Sequence, residues 1–154
     1  MDIQTLKFEM IPDRENYPYE LLLLADENVE SINKYIFDSI VYCVKNNGNA
    51  IAAFCLYEID KSTIELKNIA VAEKYQNNGI GSKIISYIKE LCKNKYLNII
   101  VGTGDCGIQQ INFYEKNGFR KSDIRKNFFI ENFEKPIFEN GIQLKDMIML
   151  KCEL

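Results

Sequence analysis

Histidine and tryptophan are missing from the 154 residues, and proline occurs only three times. Without an imidazole, Ser-His and Cys-His nucleophilic chemistry is excluded, as are the histidine-bearing zinc sites. Five cysteines (Cys43, Cys55, Cys92, Cys106 and Cys152) stand far apart with no C-x-x-C pair, so no metal site is expected. Scattered cysteines of this kind are expected to behave as small buried hydrophobes, with Cys106, in a glycine-rich loop, the least typical of them. No apolar run approaches the ~18 residues of a membrane span. The start, "MDIQTLKFEM", lacks the basic residues and apolar core of a signal peptide, which points to a cytoplasmic protein with no membrane partner. A dominant charge is lacking too: the net charge is −3, and the basic residues are dispersed apart from short clusters such as "FRKSDIRK". That leaves no footprint for nucleic acid and favours a small molecule, or an acceptor with cationic groups, as partner.

What is present is an ordinary globular composition, 47% apolar and 27% charged. A chain of this length suits one domain, residues 1–154, that buries about 68–70% of its unfolded surface. "IQTLKFEM" has a loose strand pattern. Residues 17–38 carry Leu21, Leu22, Leu24, Ile32, Tyr35 and Ile36, the spacing of one or two short helices broken near Asp26 to Asn28. "SIVYCVKNNGNAIAAFCLYEID" predicts a hairpin about "NNGN", and "STIELKNIAV" a third strand in which Glu65 and Lys67 alternate with apolar neighbours. Ile80, Ile84, Ile88 and Leu91, widened by Ile85 and Cys92, form a helical stripe. "YLNIIVGT" predicts a buried strand, and "GIQQINFYEKNGF" a helix closed by Asn117-Gly118. "FRKSDI" and "IQLKDMIMLKCEL" predict two last strands, separated by an aromatic segment that ends in an Asn-Gly turn signal. The class is mixed α/β, with one mostly antiparallel central sheet flanked by helices.

Between the third strand and the long helix lies "EKYQNNGIGSKII", with Gly79 and Gly81 at the helix start. Free N–H groups of a first helical turn and the helix dipole favour an anion, and glycine lets a phosphate approach the backbone. A tight strand-to-helix turn would use the same glycines. "GSK" has its lysine in the wrong place for a Walker A loop, and Ile84 stands where a dinucleotide fingerprint needs a small residue.

The string "IELKNIAVAEKYQNNGIGSKII" resembles the acetyl-CoA-binding motif of the GNAT superfamily of N-acetyltransferases, which has the pattern Q/R-x-x-G-x-G/A after a strand ending in I-A-V. Here it reads Gln76-Asn77-Asn78-Gly79-Ile80-Gly81. A second family element, F-Y-x-K-x-G-F, reads Phe113-Tyr114-Glu115-Lys116-Asn117-Gly118-Phe119. The chain is thereby identified as similar to small bacterial members of that superfamily.

The resemblance implies a fold in which the strands on either side of the long helix splay to admit acetyl-CoA. It also implies that the backbone of Gln76, Asn77, Asn78, Gly79, Ile80, Gly81 and Ser82 binds the pyrophosphate, while Ile69, Ala70 and Val71 bind the pantetheine arm as an added strand would. Tyr114 would be the general acid for the departing sulfur, against the alternative of an aromatic that packs its helix. Glu65 would be the general base, against that of a solvated strand carboxylate. Many relatives carry an asparagine and an alanine where this chain has Gly107 and Gln110, so Asn112, Gln109 or water must supply the missing pantetheine contact. Phe128, Phe129, Phe133 and Phe138 either line an acceptor pocket or complete a hairpin core. The implied activity is direct transfer of acetyl from acetyl-CoA to a primary amine of a small molecule or peptide, by a monomer or homodimer. The alternative is a non-catalytic acyl-CoA sensor.

Overall fold

The structure, a computed structural model, describes residues 2–154 and divides into two compact units, residues 1–96 and 97–154. The first unit holds four antiparallel strands in the order β1 (Lys7–Met10), β2 (Ile40–Asn46), β3 (Asn49–Glu58) and β4 (Thr63–Val71). The β2–β3 hairpin turns at Asn47 and Gly48, both in the left-handed region, as the "NNGN" signal predicts. Three helices accompany these strands: α1 (Tyr19–Leu22), α2 (Val29–Asn33) and α3 (Ile80–Cys92). The break between α1 and α2 falls at the expected place, with Asn28 capping α2 through the Ser31 N–H at 2.8 Å.

The alternation of β3 sends its side chains to two apolar layers. Ala53 and Cys55 pack with Leu22, Ile32, Tyr35, Ile36 and Val41. Phe54 points the other way, stacked on Tyr42 at 4.9 Å and edge-on to Tyr87 of α3 at 6.4 Å. Ile80, Ile84, Ile85, Ile88 and Cys92 of α3 are all buried, each full burial of an Ile contributing about 1.5–3 kcal/mol.

The second unit holds a three-stranded antiparallel sheet with β9 (Met147–Glu153) between β5 (Asn98–Gly104) and β6 (Arg120–Arg125). Helix α4 (Ile108–Lys116) ends at Asn117 and a left-handed Gly118, as its sequence predicts. A short helix, α5 (Phe128–Glu131), and a two-stranded hairpin of β7 (Phe138–Glu139) and β8 (Ile142–Gln143) fill the aromatic segment. The hairpin turns at Asn140-Gly141. The class is thus mixed α/β with antiparallel strands, as expected.

Three local expectations are corrected. Ile3–Thr5 is a 3-10 turn rather than strand, because the Asp2 carboxylate accepts the Gln4 N–H at 2.9 Å and the Asp2 carbonyl accepts the Thr5 hydroxyl at 2.8 Å. Leu91 is 44% exposed: by the last turn of α3 the covered stripe has moved to Ile88 and Cys92. "IQLKDMIMLKCEL" is two strands, because the Lys145 and Asp146 N–H groups turn aside to the Asp105 carboxylate, at 3.3 and 3.2 Å.

Candidate functional site

In the first unit, β4 runs into a single 3-10 turn, Glu73–Tyr75, and then into α3. Gln76 closes this loop by donating its side-chain amide to the Val71 carbonyl at 2.9 Å. Asn78 donates to the carbonyls of Tyr75 and Gln76, at 3.2 and 3.1 Å. Asn77 and Gly79 both take left-handed backbone, φ 62° and 79°; glycine alone does so at no steric cost. Gly79 is the N-cap of α3, with no side chain capping the turn and no acidic residue in it. Among the described residues, the N–H groups of Asn77 to Ser82 donate to no backbone acceptor, and the helical ladder begins with Lys83 N–H to Gly79 O at 3.0 Å. A 13-residue helix therefore presents its positive end, with bare donors, beside exposed Lys74. The donor set fits a diphosphate. Ile80 is buried and contributes only its main chain here. Ile69, Ala70 and Val71 pair with Phe54, Ala53 and Ala52 of β3.

Further back on β4, Glu65 is 4% exposed, so the solvated-carboxylate reading does not hold. Its Oε2 lies 3.3 Å from Lys67 Nζ. Asn68, equally buried, donates to the Leu22 carbonyl at 3.0 Å and to the Tyr35 hydroxyl at 3.1 Å. Tyr35 in turn donates to Asp26 Oδ2 at 2.8 Å, and burial, then the Asp26 carboxylate, push its phenol well up. The sequence marked Glu65 but neither Asn68 nor Tyr35. A second polar residue directly after Lys67 in "LKNIAV", out of step with the alternation, is the one signal that could have found Asn68.

In the second unit, Tyr114 is buried in α4, edge-on to Phe113 at 5.2 Å and to Phe119 at 5.6 Å. Burial raises its phenol well above the ordinary value. Asn112 and Gln109 are exposed on the same helix, while Gln110 reaches Glu139 at 3.4 Å. Gly107 has a steric reason to replace the family asparagine, since a Cβ there would stand 2.9 Å from Gln110 Oε1 and 3.1 Å from the Gly104 carbonyl. The loop before α4 is held by Asp105, and Asp146 receives both the Asn127 N–H at 2.8 Å and the Lys126 ammonium at 3.6 Å. Phe129 stacks on Phe133 at 6.0 Å and meets Phe128 edge-on, whereas Phe138 is 63% exposed. A groove of about 550 Å³ in this unit is lined by Asp105, Ile111, Lys121, Ser122, Ile124 and Ile148, not by those phenylalanines.

Four of the five thiols, Cys43, Cys55, Cys92 and Cys152, are buried, and Cys106 is half-buried. Burial pushes the thiols of Cys43, Cys55, Cys92 and Cys106 up, helped at Cys106 by the Asp105 carboxylate. None of these four has the lowered pKa of an activated nucleophile.

The family model of the GNAT acetyltransferase domain matches residues 37–121. An uncharacterised N-acetyltransferase of Bacillus subtilis (strain 168), YvbK, is 33% identical over the whole of both chains. Among solved structures, a GNAT family acetyltransferase from Elizabethkingia anophelis with acetyl-CoA bound is 44% identical with a TM-score of 0.92, over 97% of this chain and 98% of that one. An IAA acetyltransferase from Bacillus cereus ATCC 14579 is 38% identical with a TM-score of 0.90, over 97% of this chain and 100% of that one.

Proposed function

Because the chain belongs to the GNAT acetyltransferase family, we propose that it moves an acetyl group from acetyl-CoA to a primary amine by direct attack within a ternary complex. It is an acyltransferase with acetyl-CoA as its cosubstrate. The observation that carries the reading is the entrance to α3, where the N–H groups of Asn77 to Ser82 meet no backbone acceptor and Gly79 holds the turn open. In this reading Gln76, Asn77, Asn78, Gly79, Ile80, Gly81 and Ser82 hold the pyrophosphate, and the main chain of Ile69, Ala70 and Val71 holds the pantetheine arm. Asn112 supplies a further polar contact to that arm.

Three steps need the chain's own residues. The acceptor's ammonium loses a proton, for which Glu65 is the proposed base. The freed amine attacks the thioester carbonyl, whose oxygen is polarised by a main-chain N–H near Val71. The C–S bond breaks as the carbonyl re-forms, the attacking nitrogen passes its extra proton to the departing sulfur, and that sulfur receives a hydrogen bond from Tyr114. A phenol raised by burial is fully protonated at neutral pH, so Tyr114 acts chiefly as a donor to the leaving thiolate. The raised thiols of Cys43, Cys55, Cys92 and Cys106 favour direct transfer over a cysteine-bound acyl intermediate. The two units are proposed to work as one domain, residues 1–154, which the end-to-end match to relatives supports.

The test is calorimetric titration of acetyl-CoA followed by coenzyme A release over a panel of amines. Binding with amine-dependent release is expected. Tight binding with no turnover on any amine would instead favour an acyl-CoA sensor.

A further inference from the structure

Between Ile64 and Val71, β4 carries three polar side chains among apolar ones. Glu65 and Asn68 are buried, and Lys67 between them keeps 25% of its side chain exposed while its ammonium rests 3.3 Å from Glu65 Oε2. The same ammonium lies 5.5 Å from the ring centre of Tyr57 and 5.9 Å from that of Tyr35. Successive side chains of a strand point to opposite faces. Yet Lys67 reaches the Tyr35 ring and Asn68 its hydroxyl. A bulge allows this: Leu66 pairs with Leu56 and Asn68 with Cys55, so Lys67 is the extra residue. Bulges re-aim side chains and gather beside active sites.

The floor beneath Lys67 is fixed, because Asn68 ties Tyr35 to the Leu22 carbonyl and Tyr35 is tied to Asp26. Asn68 Oδ1 is buried with no hydrogen-bond partner. A pair in which one partner is partly exposed contributes little to stability, and sinking Glu65 into the strand costs solvation. What the arrangement does provide is one cation at a fixed place, backed by two rings and a carboxylate, with a face turned to solvent.

We propose that Lys67 is the specificity-determining residue for the acceptor. Its ammonium binds a carboxylate carried close to the amine, so the acceptor is a free amino acid or a similar small amino-carboxylate. Glu65, two positions before Lys67 on β4, is the proposed base for the acceptor's ammonium. Polyamines and aminoglycosides, which bring only cations, would face the repulsion of Lys67. This inference rests on the acetyl-transfer reading of the same site.

The experiment compares free amino acids with their amides in coenzyme A release by the wild-type chain, Lys67→Arg and Lys67→Met. The wild type is expected to prefer the acid by about tenfold or more. Lys67→Arg is expected to keep part of that preference, and Lys67→Met to abolish it. Because Lys67→Met strips a buried carboxylate of its cation, Glu65→Gln/Lys67→Met serves as a second variant. N-acetyl amino acid and its amide are titrated calorimetrically into each protein with coenzyme A present. Transfer to amines with no preference for the acid, in turnover and in binding, overturns this inference and leaves acetyl transfer standing. Preferential binding of the acid that is lost in the methionine variants, without transfer to any amine, upholds carboxylate recognition by Lys67 and overturns acetyl transfer. Retention of the preference in both methionine variants overturns the role of Lys67.

Discussion

In the first unit the candidate cofactor site is carried by main chain; in the second the candidate chemistry rests on one side chain. The turn into α3 offers backbone N–H groups whose direction is set by the left-handed Asn77 and Gly79, so it answers to conformation and hardly to side-chain identity. Tyr114 is the reverse case, a phenol in a rigid helix between two rings, where a single oxygen matters. A backbone site is therefore broken by altering φ, and a side-chain site by removing one atom.

Tyr114→Phe tests the second half most severely. It should lower kcat by about 100-fold with a smaller change in KM, the size expected for loss of an acid group, as steady-state kinetics would show. An unchanged kcat would reduce Tyr114 to a packing residue. Asn68→Ala probes an intermediate case, a side chain that holds main chain. It strands the Leu22 carbonyl and the Tyr35 hydroxyl, so the chain should lose about 2 kcal/mol in urea unfolding. Gly79→Ala attacks the first half: a Cβ at φ 79° costs roughly 1–2 kcal/mol. It should also weaken acetyl-CoA binding in calorimetry, while Ser82→Ala, which keeps its N–H, should change that binding little. Equal losses in the two variants would mean that side chains, not backbone, make the site.

The smallest effect is a pH dependence of stability. Burial raises Cys55 from 9.0 to about 12, and Tyr35, Tyr42 and Tyr114 also lie above their ordinary values. The folded chain thus keeps protons that the unfolded chain releases. Stability should be flat below the ordinary thiol value and fall as pH rises from there to about 12, which thermal melts across that range would follow.

How much of this was legible in the sequence follows the same division. Glycine positions and strand-to-helix order encode the backbone site directly, because only a few residue types tolerate left-handed φ, and Asn77, Gly79, Asn140 and Gly141 stand where such backbone occurs. The hairpin turns at Asn47-Gly48 and Asn140-Gly141 were visible for the same reason. The polar network of Asp26, Tyr35, Asn68 and Leu22 was not, because its members lie up to 46 positions apart and meet only through folding. The bulge at Lys67 left one trace, the adjacent polar Lys67 and Asn68 that interrupt the alternation of "IELKNIAV". The break at Leu144 to Asp146 depends on a carboxylate 40 residues earlier in the chain, which no local pattern reveals.

Direct transfer from acetyl-CoA to an amine can be followed by two-substrate initial rates with mass spectrometry of the product. Intersecting double-reciprocal lines and one N-acetylated amine for each coenzyme A released are expected. Parallel lines with an acylated protein, or coenzyme A release without an acetylated amine, would contradict it.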